Sequence, residues 1–188
     1  MRAFDPQNSD FESAVRESFD RLTLMTTIGA SLEEVSAGQV EIALPFRQDL
    51  TQHHGFMAAA VLTAVVDVAC GYAAMTLMPP GSSVLTIEYK ANFLAPARGE
   101  RMLARGRVIR PGRTLTVCAG DVMAVDDGTE TLVATLLATM MQVAGERSAT
   151  PAEAPARVQQ SLAHPRGRRR WCLCRAWNMH RRDVAASA

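Results

Sequence analysis

Residues 56–75 read FMAAAVLTAVVDVACGYAAM, twenty residues that are nearly all apolar or small, with Asp67 near their middle. A stretch of this length without a polar face makes a helix that has to be covered on almost every side. A membrane span is the competing reading. It is disfavoured because a central aspartate costs about 2.5–3.5 kcal/mol on insertion scales, and neither flank is basic. A buried helix at the centre of a soluble domain is therefore expected, ended by Pro79-Pro80-Gly81.

Outward from this helix the pattern changes period. On its N-terminal side, Phe11, Val15, Phe19 and Leu22 recur at helical spacing, predicting an amphipathic helix over 8–24 capped by Ser9 or Asp10. Two strands follow, 28–36 and 39–44, turning at Ala37-Gly38. In the second strand Val40, Ile42 and Leu44 alternate with Gln39, Glu41 and Ala43. Past the long helix, 83–94, 101–110, 114–125 and 131–143 read as four strands in a meander, separated by Pro96, Pro111-Gly112 and Asp126-Asp127-Gly128. The economical packing is α+β, an antiparallel sheet wrapped around the long central helix.

Charge divides the chain of 188 residues. Residues 1–145 carry 11 Lys/Arg against 16 Asp/Glu, whereas residues 146–188 carry 9 Arg against 3 acids. An acidic body argues against a nucleic-acid-binding domain. A body over 1–145 and a basic tail over 146–188 are expected, the tail holding Ala/Pro-rich 149–156, a short helix near 157–163 and the run Arg166-Gly167-Arg168-Arg169-Arg170. Four cysteines are too few for a disulfide scaffold and read as reduced cytoplasmic thiols. The polar start, Met1-Arg2-Ala3-Phe4-Asp5-Pro6, has no apolar run of the kind a secretory leader carries.

Asp67 is the residue that most needs a reason. A carboxylate in an apolar helix is expensive unless it is paired, hydrogen-bonded or functional. The start of the helix supplies a possible function. After Gln52-His53-His54-Gly55, the small residues Ala58-Ala59-Ala60 leave the first-turn amides open, and a helix N-terminus suits a developing oxyanion. Ala59 and Asp67 lie eight residues apart, roughly 12 Å along one helix. Cooperation at one carbonyl therefore requires two subunits. His53 and His54 are adjacent in a loop and lack metal-ligand spacing, and Cys172-x-Cys174 with His164 and His180 has the wrong spacing for a zinc knuckle.

The stretches Leu50-Thr51-Gln52-His53-His54-Gly55-Phe56, Val61-Leu62-Thr63-Ala64-Val65-Val66-Asp67 and Thr86-Ile87-Glu88-Tyr89-Lys90-Ala91-Asn92-Phe93 together resemble the PaaI-like hot-dog acyl-CoA thioesterases, over roughly 20–144. The resemblance implies a hot-dog fold and assigns roles by position. Asp67 falls on the acid acting as general base or nucleophile. Ala59 falls where relatives carry the glycine whose amide polarises the carbonyl, Thr86 where a hydroxyl places water, and Gln52 on a substrate-contacting amide. His54, Gly55 and Ala60 border that site. Relatives commonly read His-Gly-Gly or His-Ala-Gly where this chain has Ala58-Ala59-Ala60, a departure that keeps the amide and loses an orienting side chain.

The expected activity is hydrolysis of an acyl-CoA thioester to acid and CoA, by a cytoplasmic homo-oligomer, a dimer or a homotetramer. Arg110 and Arg113, flanking Pro111-Gly112, are candidates for the CoA phosphates. No metal or other cofactor is implied, nor a nucleic-acid partner or membrane span. An acyl-thioester dehydratase would need a catalytic histidine opposite the acid, and none stands at the helix start. A catalytically weak acyl-CoA-binding sensor is the rival from another class, favoured by the alanine triplet.

Overall fold

The computed structural model describes residues 4–144. Two helices come first, α1 (Phe11–Asp20) and α2 (Thr23–Ile28), where one helix over 8–24 was expected. The break has a packing cause. Val15 and Phe19 are buried on one stripe, while Met25 and Ile28 lie roughly 120° and 180° around from Phe19 at 100° per residue. A straight helix would leave both outside the core. The chain tightens instead, with the Leu22 amide donating to Phe19 O (2.9 Å), and restarts on a new axis that buries both. Asp10 occupies the N-cap of α1 without a side-chain capping bond. Gly29, at φ +78°, ends α2 in the left-handed region, so the first strand starts at Ser31 rather than at residue 28.

The six strands among the described residues are β1 (Ser31–Ser36), β2 (Gln39–Pro45), β3 (Ser82–Phe93), β4 (Arg101–Arg110), β5 (Leu115–Asp126) and β6 (Thr129–Ala144). They form one antiparallel sheet in the order β1-β2-β4-β5-β6-β3. The expected four-strand meander is thus correct only for β4 to β6. The segment after β3 runs past the strand-to-helix loops, the Met57 amide bonding Ala97 O (3.0 Å) and the Phe46 amide bonding Glu100 O (2.8 Å). This route delivers β4 beside β2 and leaves β3 on the far edge.

The long helix, α3, spans Ala59–Met75 and packs on one face of the sheet. Phe56 and Met57 belong to the preceding loop, where Met57 bridges Thr51. Gly106 and Gly120 pair across β4 and β5, directly under α3. A Cβ on Gly106 would stand 2.3 Å from the Ala69 carbonyl, and one on Gly120 would stand 2.4 Å from Val66 Cγ2. These two bare positions let the helix backbone descend onto the sheet, burying Val65, Val66, Ala69, Cys70 and Ala73. The opposite face carries a small cluster of Ala43, Leu103 and Val125. It also carries ion pairs in which Arg105 joins Glu41 (2.5 Å) and Glu130 (2.6 Å), and Arg107 joins Asp121 (2.7 Å).

Candidate active site

Side chains alternate along β3, and the alternation decides what faces Asp67. Tyr89, Ala91 and Phe93 point towards α3, paired with the inward positions Ala138, Leu136 and Ala134 of β6. Strict alternation from Tyr89 would turn Ile87 inwards and Thr86 outwards. A β-bulge between Thr86 and Glu88 inserts one residue and reverses that parity. Thr86 consequently faces the helix, and its hydroxyl donates to Asp67 Oδ1 at 2.9 Å.

Asp67 is half-buried, at the boundary between two hollows. One, of about 450 Å³, is lined by Ala60, Thr63, Ala64 and the inward residues of β3. The other, of about 370 Å³, lies between α1, α3 and the start of β3. Burial pushes the Asp67 carboxyl above the ordinary carboxylate range, and the Thr86 hydroxyl opposes that shift by stabilising the anion. A carboxylate so held can accept a proton from water or attack an electrophile, because only one of its oxygens is engaged by Thr86. Thr86→Val removes the donor at similar volume. The acidic limb of the pH profile of kcat/KM should then move to higher pH, since the remaining effect, burial, raises the pKa. An unmoved limb would mean that Thr86 has no hold on the ionised form.

The helix start is built for an incoming oxygen. Ala58 is extended (φ −66°, ψ 137°) with no side-chain cap, and the first helical bonds come from Val61 and Leu62, both to Ala58 O. The amides of Ala59 and Ala60 therefore have no acceptor within the helix, and both residues are exposed. Gln52 closes the preceding loop on itself. Its amide bonds Phe56 O (2.8 Å), its carbonyl accepts from Gly55 (2.9 Å), and its side-chain oxygen accepts the His54 amide. Gly55 takes φ +79° to complete that turn. His53 and His54 are exposed with ring centroids 3.9 Å apart.

The structure therefore brings Asp67 and Thr86 together, and gathers Gln52, His54, Gly55, Ala59 and Ala60 around the helix start. It does not join the two groups within one protomer. Arg110 and Arg113 stand apart from both, exposed at the β4–β5 turn. Arg113 lies beside Ala74, Leu77 and Met78, roughly 22 Å along the helix from Ala59. Tyr89 and Phe93, which border Asp67, were not singled out by sequence, because the bulge that fixes their facing leaves no compositional mark. The expected tail, with Trp171, Trp177, Cys172, Cys174, His164 and His180, lies outside the described residues.

Residues 54–131 match the family model of the thioesterase superfamily. A protein of Saccharolobus solfataricus named as an esterase is 32% identical over 127 residues, covering 68% of this chain and 82% of its own length. The crystal structure of a thioesterase family protein from Silicibacter pomeroyi superposes with TM-score 0.71 at 46% identity, over 72% of this chain and 99% of that one. The PaaI protein of the Escherichia coli phenylacetic acid degradation operon shares the fold, with TM-score 0.65 at 15% identity over 72% of this chain and 94% of its own.

Proposed function

The chain belongs to the thioesterase superfamily, as a PaaI-like hot-dog thioesterase, and from that premise we propose that it hydrolyses acyl-CoA thioesters to a free acid and CoA. The observation carrying this reading is the hydrogen-bonded Thr86–Asp67 pair, 2.9 Å, half-buried on a helix whose first-turn amides are open. Asp67 removes a proton from water as the water oxygen bonds the thioester carbon. The amides of Ala59 and Ala60 from a second protomer hold the oxyanion. Collapse of the tetrahedral intermediate breaks the C–S bond, and the departing thiolate takes up the proton. Thr86 keeps the Asp67 oxygen oriented. Gln52, His54 and Gly55 shape the loop beside the thioester, and Arg110 and Arg113 meet the nucleotide phosphates.

A homodimer follows from the same geometry, because Ala59 and Asp67 of one helix cannot reach one carbonyl. The outer edge of β3 supports it. Twelve residues long, that edge has no neighbouring strand among the described residues, and Leu85, Ile87, Tyr89 and Phe93 are each about half exposed on it. A long edge rich in exposed apolar side chains offers a surface on which a second copy can pair. Pairing of two such dimers gives a homotetramer. Free, buried Cys70 and Cys118 suit the cytoplasm, and no helix among the described residues is long and apolar enough to cross a membrane. Residues 1–145 hold the whole site, with 146–188 an accessory tail.

Thiol release from a panel of acyl-CoA esters is the test, with Arg113→Ala as its second arm. At least one ester should be turned over. Arg113→Ala should raise KM for that ester well above its effect on a short thioester lacking the nucleotide. Tight binding without thiol release would instead favour the acyl-CoA sensor, the reading that the exposed Cβ atoms of Ala59 and Ala60 speak for.

A further inference from the structure

Gly71 stands one helical turn beyond Asp67, on the same face of α3, and neither backbone nor packing explains it. Its φ is not positive, so the conformation suits any residue. A Cβ placed there would meet Val84 Cγ1 at 3.7 Å, an ordinary contact, in contrast to the 2.3 Å collision at Gly106. Glycine in the middle of a helix is unfavourable relative to alanine. What the missing side chain does leave is space. Gly71 lines the hollow of about 370 Å³ that begins at Asp67 and Thr86.

That hollow has a direction. Val68, Met75 and Val84 give it apolar walls beside the polar Arg21, Ser82 and Ser83. α1 borders it with Ser18, which accepts a hydrogen bond from Tyr72 (3.3 Å), and the α1–α2 junction borders it with Leu22. It runs along α3 from Asp67 to Met75, roughly 12 Å at 1.5 Å per residue. The space holds a chain and is too small for the nucleotide and pantetheine arms of CoA, so those leave by another route. The second hollow, towards Ala60 and Thr63, faces the region where another protomer's helix start is needed.

We propose that Gly71 is a specificity-determining residue, and that the hollow between α1, α3 and β3 receives an apolar acyl chain of medium length, roughly eight to ten carbons at an advance of about 1.25 Å per carbon–carbon bond. The proposal deepens the reading of the protein as an acyl-CoA thioesterase and rests on it. A side chain at position 71 would fill the channel next to the reacting carbon, and would discriminate against long acyl groups far more than against acetyl.

The test is kcat/KM for a series from acetyl-CoA to palmitoyl-CoA with the wild type, Gly71→Ala and Gly71→Leu. The wild type should peak near octanoyl. The octanoyl-to-acetyl ratio should fall severalfold in Gly71→Ala and at least tenfold in Gly71→Leu. Gly71→Ala should melt no lower than the wild type, which separates a filled channel from a damaged fold. A ratio unchanged in both variants overturns the proposal, as does a wild type that prefers acetyl. If the wild type releases no thiol, calorimetry with the thioether S-octyl-CoA decides. Binding that Gly71→Leu abolishes upholds the channel while the hydrolytic reading fails. Absent binding, or equal binding by both, overturns the channel too.

Discussion

Asp67→Asn is expected to lower kcat by roughly 10²–10⁴, the range for loss of general-base help, while the protein folds normally. The asparagine keeps the volume and can still accept the Thr86 hydroxyl hydrogen, so the geometry of the pair survives. Stability should rise near neutral pH. Burial raises the folded-state pKa of Asp67, so the folded chain binds that proton more tightly than the unfolded chain does. Below the unfolded pKa both states are protonated and no penalty exists. The cost of the buried anion sets in as pH rises above the unfolded pKa and is complete once pH has passed the raised folded pKa, and asparagine removes that cost. The gain of Asp67→Asn over the wild type, read by denaturant melts, should therefore be present near neutrality and vanish in acid. Preserved turnover with a large loss of stability would assign Asp67 a purely structural role.

The second large effect concerns the fold. Gly106→Ala should destabilise by about 3 kcal/mol or more, at the upper end of overpacking costs, and lower Tm by roughly 6–12 °C for a domain of this size. The new methyl would meet the backbone of α3 at Ala69 and Cys70, within 2.3–2.5 Å, and backbone cannot swing aside. Gly120→Ala meets Val66 Cγ2 and Cys70 Sγ, side-chain atoms that can shift, and should cost less. Gly71→Ala should cost nothing. That ranking, measured by thermal melts, checks whether the cross-strand glycine pair sets the height of the helix over the sheet. Equal melting of all three variants would refute it.

The central helix was legible because its apolar run is long, uniform and ended by Pro79-Pro80-Gly81, and Asp67 was legible as its one charged residue. The alternation of Val40, Ile42 and Leu44 placed the second strand, and the turns at Pro96, Pro111-Gly112 and Asp126-Asp127-Gly128 placed the later ones within a few residues. Three features were not legible, each decided by tertiary packing. The α1–α2 break depends on burying Met25 and Ile28 together, which no local period announces. The place of β3 at the sheet edge depends on where its outgoing loop is tied, at Ala97 and Glu100. The facing of Thr86 depends on the bulge at Ile87. The distance argument that divides Ala59 from Asp67 needed only the helical rise, so the two-protomer site was available from sequence as an expectation.

That two-protomer site is the centre of the mechanism, and complementation tests it most directly. Asp67→Asn retains the helix-start amide and lacks the base. Ala59→Pro retains the base and lacks the amide, and Ala58 already holds the extended conformation that a following proline requires. Each variant alone should be inactive. After the two are dissociated, mixed in equal amounts and reassociated, thiol release should return to about a quarter of the wild-type level, since half the dimers are mixed and each mixed dimer holds one intact site. Mixed dimers confirmed by native mass that stay as inactive as their parents would contradict a site shared between protomers.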